Sequence, residues 1–171
     1  MKPDIFMDDF ERTECADKVF AAIGRALTLA TRFEASCRGL SAILRVKGPS
    51  NNILDSEQSL KQFSAKLYRM DLGQHIKYLA PSENKLWQLL NRARIARNEI
   101  AHEITLGLDG QSGLAESEND RISRLRKLSH VIAEADRALC FALTVITGDY
   151  LPNNDILREY PNKATEWVCE L

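Results

Sequence analysis

An unbroken apolar rhythm from Asp17 to Lys47 constrains this chain more than any other feature. Val19, Ile23, Ala26, Leu27, Ala30, Phe33, Cys37, Leu40 and Leu44 recur at steps of three and four, the spacing of one helix face. Gly48-Pro49-Ser50-Asn51-Asn52 then stops the pattern with a permissive residue, a blocked amide and turn formers. A helix of about 30 residues is roughly 45 Å long at 1.5 Å per residue. A stripe of that length is buried only if helices of similar length lie against it, so it is the expected spine of a bundle.

The remaining pattern supplies those helices. A second stretch is expected from Ser56 to Met70, with Leu60, Phe63 and Leu67 on one side. A short one follows from Asp71 to Leu79, set off by a kink near Gly73. After Pro81, Ser82 is the expected N-cap of a third long helix whose core face reads Leu86, Leu89, Leu90, Ala93, Ile100 and Ile104, ending near Leu106-Gly107. Residues 107–119, rich in Gly, Ser and acids, read as a long loop. Asn119 or Asp120 then caps a last long helix carrying Ile122, Leu125, Leu128, Ile132, Ala135, Leu139 and Ile146, closed by Gly148 and Pro152. The tail, 148–171, is expected to hold a short helix from Lys163 to Cys169 anchored by Trp167. No alternating strand pattern occurs. The expected fold is all-α, an up-and-down bundle of about four to five helices. It forms a single domain over 1–171 with its core at about 17–147.

Composition narrows the function classes. The 171 residues are 44% apolar and 27% charged, with a net charge of −1, which is ordinary for a globular domain that needs neither disulfide nor metal to fold. Such balance argues against a general duplex-DNA binder, which carries a basic excess. Cys15, Cys37, Cys140 and Cys169 are far apart, and none stands beside a His at ligand spacing; no metal and no cofactor is expected. Buried free thiols fit a reducing cytoplasm. The acidic N-terminus has no signal-peptide run, and no apolar stretch approaches membrane-spanning length.

One hexapeptide carries chemistry: Arg97-Asn98-Glu99-Ile100-Ala101-His102. Arg offers a planar, permanent cation matched to a phosphate. His moves protons near neutrality, with an unperturbed pKa of about 6.5. Taking Leu86 as zero at 100° per residue, Arg97 falls near about 20°, Asn98 near about 120° and His102 near about 160°. Arg97 therefore faces the apolar seam, while Asn98 and His102 share a strip with Trp87, Asn91 and Ile95. The first and last of the three converge poorly within one regular helix. Either the helix loosens at His102, or a two-fold symmetric dimer joins two copies of the strip. Arg92 and Arg94 stand beside the motif as candidate contacts to an RNA backbone. His75 and His130 are expected as ordinary surface or core histidines. Arg121, Arg124, Arg126 and Lys127 are expected as a solvated face, with RNA contact as the alternative.

The Arg-Asn-x-x-x-His set, late in the third long helix of an α-bundle, resembles the HEPN superfamily (higher eukaryotes and prokaryotes nucleotide-binding). The likeness covers roughly Asp17 to Ile146. It implies a homodimer with a composite, metal-independent ribonuclease site in a toxin–antitoxin, phage-defence or RNA-processing setting. By the same resemblance, Arg97, His102 and Asn98 are catalytic and cleavage leaves a 2′,3′-cyclic phosphate. An antitoxin or regulatory protein is the implied further partner beside RNA. HEPN toxins silenced by nucleotide transfer onto a Tyr carry it two positions after the His; Ile104 stands there, so that control is not expected. The competing expectation is a non-catalytic helical regulator or adaptor that binds a protein or nucleotide through the same groove.

Overall fold

The computed structural model describes residues 14–48, 56–104 and 117–170. Over these the fold is all-α, with six helices rather than four or five: α1 (Glu14–Lys47), α2 (Glu57–Arg69), α3 (Leu72–Leu79), α4 (Lys85–His102), α5 (Glu118–Thr147) and α6 (Asn154–Cys169). No helix among the described residues is long and apolar enough to cross a membrane.

The stripe of α1 is the spine that its rhythm predicts. Val19, Ile23, Ala26, Ala30, Phe33, Cys37 and Leu40 are buried, joined by Leu29, whereas Leu27 is turned outward. Cross-links between helices give their directions. Arg32 meets Asp136 near the middle of α1, and Lys47 donates to the Ile146 carbonyl at its end (2.7 Å), so α1 and α5 run parallel. Glu99 of α4 pairs with Arg124 of α5, and Ile104 with Arg121, an antiparallel arrangement. On α6, Tyr160 meets Asp136 and Cys169 meets Ile122, again antiparallel to α5. The four long helices therefore alternate up and down along the chain, α1 and α5 being the central pair on which both α4 and α6 pack.

Local chemistry explains the boundaries, and several differ from the sequence expectation. The break before α3 lies at Met70–Asp71, not at Gly73. Asp71 accepts the Gln74 amide at 2.7 Å while the Gln74 side chain accepts the Asp71 amide at 3.0 Å, a complete capping box. Asn84, not Ser82, caps α4 by accepting the Trp87 amide at 2.9 Å. Ser117, not Asn119 or Asp120, caps α5. Of the expected loop, residues 107–116 lie outside the described residues, whereas Glu118 and Asn119 already belong to α5. Gly148 ends α5 at φ +77°, a left-handed conformation that glycine adopts without a Cβ clash. Leu86, expected in the core, is 40% exposed because α4 has only just begun there; Leu90, Ala93, Ala96, Ile100 and Ile104 carry the buried face.

The largest correction is at the tail. Where a short helix was expected from Lys163, α6 runs for 16 residues straight through Pro161. Proline removes one helical hydrogen bond, here the one due to the Leu157 carbonyl, at a typical cost of about 3 kcal/mol. Arg137 of α5 replaces it, donating Nη1 to that carbonyl at 3.3 Å. Pro161 itself is buried and helps seat the helix, together with Thr165, Val168 and Cys169. Trp167, the expected anchor, is 45% exposed. Arg25 of α1 closes the end by donating Nε to the Val168 carbonyl at 3.1 Å and bonding the Glu170 carbonyl.

A buried carboxylate joins the three elements. Asp136 is fully buried and accepts from Arg32 Nε (2.9 Å), Ser36 Oγ (3.0 Å) and Tyr160 Oη (2.5 Å). With these three donors and the Cys140 thiol at 3.8 Å its charge is compensated, which a buried anion requires. Its field and burial together push the Tyr160 phenol well above its usual range.

Candidate functional site

The site grows from α4. Asn84 caps the helix, its apolar face turns toward α1 and α5, and the polar positions 94, 97 and 98 then look onto the α3 N-terminus and the middle of α1. They line a cavity of about 450 Å³ with Glu34, Asp71, Leu72 and Gly73. Gly73 keeps the space beside the Asp71 carboxylate: a Cβ there would lie 3.2 Å from Asp71 Oδ1, tighter than usual, and 3.9 Å from Arg94 Cδ, an ordinary contact.

Arg97 is half-buried and held from two sides. Its Nη2 donates to Glu34 Oε2 at 2.9 Å, and its Nη1 to Asn98 Oδ1 at 3.3 Å. Because the Asn98 oxygen is engaged by Arg97, its NH₂ group remains as a donor. Glu34 also accepts from Arg38 at 3.3 Å, so the carboxylate sits between two guanidinium groups. Arg94 is oriented by Asn91 Oδ1 at 3.0 Å. The cavity thus presents two guanidinium groups, two carboxylates and an amide.

The sequence-predicted residues divide. Arg94, Arg97 and Asn98 come together; Arg92 and His102 are exposed and do not line the cavity. His102 is the last residue of α4, one turn beyond Asn98. The helix loosens immediately after it: the Glu99 carbonyl accepts both Glu103 N (2.9 Å) and Ile104 N (3.0 Å), and Arg121 bonds the Ile104 carbonyl. That loosening follows His102 and does not carry the imidazole toward Arg97. Ile95, on the outward strip nearly a turn before Asn98, is 52% exposed.

Sequence reasoning missed Glu34, Asp71 and Gly73. Glu34 stands four residues before Arg38, which reads as an i,i+4 surface pair; nothing local indicates that α4 supplies a second cation. The expected solvated face on α5 also divides. Arg121 is buried against the Ile104 carbonyl, Arg124 pairs with Glu99 (2.5 Å) and Glu103 (3.7 Å), and only Arg126 and Lys127 stay outward.

Other reactive groups are sequestered. His75, buried at the α1–α3 contact, shares a 2.7 Å hydrogen bond with Ser41 Oγ. Burial, and next the nearby Arg38 charge, hold its pKa below the usual value. Burial pushes the Cys37 thiol up to about 12, with the Asp136 and Glu34 charges adding to the shift. Cys37, Cys140 and Cys169 are all free thiols. Among the described residues no group of three His, Cys, Asp or Glu side chains is placed to hold a metal.

No family model, no curated protein and no solved structure matches this chain.

Proposed function

We propose that α4, through its cavity-facing Arg97 and Asn98 and its exposed His102, supplies one half of a metal-independent endoribonuclease site of HEPN type, completed by a second copy of the chain. The observation that carries this reading is the arrangement at 97, 98 and 102. A guanidinium and an amide are fixed in a polar cavity, and an exposed imidazole stands one turn further along the same helix. Within one chain the imidazole does not share the cavity. In this reading a two-fold axis beside α4 supplies the imidazole from the partner, and the exposed Ile95 on the same helix serves as an apolar contact between the copies.

The chemistry follows from the groups. His102 removes the proton of a ribose 2′-OH, and the 2′-oxygen attacks the adjacent phosphorus. The bond to the 5′-oxygen breaks, and an imidazolium protonates that leaving oxygen. Arg97 and the Asn98 NH₂ neutralise charge on the phosphorane. The products are a 2′,3′-cyclic phosphate and a 5′-hydroxyl, and DNA, lacking the 2′-OH, is not cut. Arg94 binds a flanking phosphate, with Arg92 further along the strand. In this reading the protein acts in the cytoplasm, in a toxin–antitoxin or phage-defence setting, restrained by an antitoxin or regulatory partner.

Mixing tests it. Wild-type protein should cleave RNA in EDTA, and Arg97→Ala and His102→Ala should each abolish cleavage. Refolded together, the two inactive variants should recover a fraction of the activity, because one of the two heterodimer sites is then intact. No cleavage by wild type, or no recovery from a folded mixture, rejects the composite site.

A second reading has its own observation. Glu34 and Asp71 bring carboxylates to the same cavity, and Glu34 already occupies Arg97. That favours a non-catalytic regulator or adaptor whose partner presents a basic segment. RNA binding or protein capture without any cleavage is its signature.

A further inference from the structure

A second site lies on the other flank of α5, between α5 and α6. Arg126, Lys127 and His130 face Asn162, Thr165 and Glu166 across a groove of about 400 Å³. Among the described residues Arg126 and Lys127 make no hydrogen bond or ion pair, whereas Arg121, Arg124 and Arg137 on the same helix are all engaged. Two cations within four residues of an imidazole line this open groove, and the one carboxylate of the lining, Glu166, forms no ion pair with either of them, so both stay available to an anionic ligand. Thr165 forms the buried floor, its hydroxyl tied to the Pro161 carbonyl at 2.7 Å. The path of α6 through Pro161 is thus what puts Asn162 and Glu166 on the rim.

We propose that this groove binds the phosphate of a ribonucleotide, free or within an RNA strand. Arg126 and Lys127 take the phosphate. Glu166, the one acid of the lining, is acceptor-only and suits a ribose hydroxyl: the vicinal pair of a free ribonucleotide, or the 2′-OH within a strand. Asn162 can both donate and accept, which suits a base edge. A volume of this size lies in the range of small-molecule sites, about 300–1,000 Å³. The proposal is independent of the α4 reading.

The test uses the full chain, titrated with AMP, with 2′,3′-dideoxy-AMP and with a short fluorescein-labelled RNA. Arg126→Ala/Lys127→Ala should weaken binding about ten-fold or more and lower the salt slope for RNA by about 0.7, for the one phosphate that both cations hold. Glu166→Gln should weaken AMP but leave the dideoxy compound unchanged. Binding of AMP that competes with RNA assigns the site to free ribonucleotide; binding of RNA alone assigns it to a strand. Both residues are exposed, and unchanged thermal unfolding confirms that the double variant folds. Failure of both probes to bind, or equal binding by the double variant, overturns the proposal. Arg97→Ala separates the two sites: lost cleavage with groove binding retained concerns α4 alone.

Discussion

Glu34 and Arg97 meet between α1 and α4, Oε2 to Nη2 at 2.9 Å, both side chains about three-quarters buried. This one contact decides what the α4 cavity offers a ligand, since the guanidinium that would take a phosphate already holds a carboxylate. Glu34→Gln removes that competitor and keeps the shape. The variant should lose about 1 kcal/mol of stability, as for a partly exposed ion pair, while binding RNA more tightly. Urea unfolding and filter binding read the two effects. Unchanged RNA affinity would show that Glu34 does not compete for Arg97.

Asp136 predicts a larger effect. Removing a buried carboxylate leaves the inward-facing donors of Ser36 and Tyr160 without their acceptor. Asp136→Ala should cost about 3–5 kcal/mol, and Tyr160→Phe about 1.5–3 kcal/mol for one hydrogen bond to a charged group. Chemical denaturation gives both, and a loss below 1 kcal/mol for Asp136→Ala would contradict the network's role.

The substitute donor at Pro161 can be isolated by a double-mutant cycle. Arg137→Ala should cost about 1 kcal/mol or more by leaving the Leu157 carbonyl unpaired. In a Pro161→Ala background the helix supplies its own amide to that carbonyl, so the same change should cost much less. A coupling of about 1 kcal/mol is expected between the two positions. Strict additivity would mean that Arg137 does not stand in for the missing amide.

His75 sets a pH dependence of stability. Its folded pKa is depressed, by burial first and then by Arg38, below an unfolded value of about 6.5. The unfolded chain therefore binds a proton more readily. Stability from this group is full above about pH 6.5 and falls as pH drops below it, by at most about 1.4 kcal/mol per unit. Urea midpoints between pH 7.5 and 5 should show the fall. In His75→Asn the slope should flatten even though overall stability is lower.

Ile95 tests the assembly. It is 52% exposed at the centre of the strip bearing Asn91, Asn98 and His102. Ile95→Arg should leave the thermal midpoint within a few degrees and convert a dimer to a monomer in light scattering, with loss of any cleavage. A wild-type chain that is already monomeric at cleavage-competent concentrations would remove the composite site.

How much of this was legible beforehand follows from the range of each interaction. Helix content, the spine of α1, the buried faces of α4 and α5, and the stop at Gly148 were set by side chains three or four residues apart, or by a single residue's allowed φ. Arg97 and Asn98 were singled out by their motif and Arg94 as its flanking cation, whereas their meeting in one cavity, without His102, came from the packing of α3 and α1 against α4. Tertiary structure alone decided what each charge meets. Arg121 and Arg124 left the expected solvated face because α4 brings the Ile104 carbonyl and Glu99 to them. Leu86 and Trp167 turned outward because no helix among the described residues covers them there. α6 passes Pro161 only because Arg137, 20 residues away in the chain, answers the lone carbonyl. Periodicity reports which face is apolar; it carries no record of which distant charge, carbonyl or carboxylate will arrive opposite it.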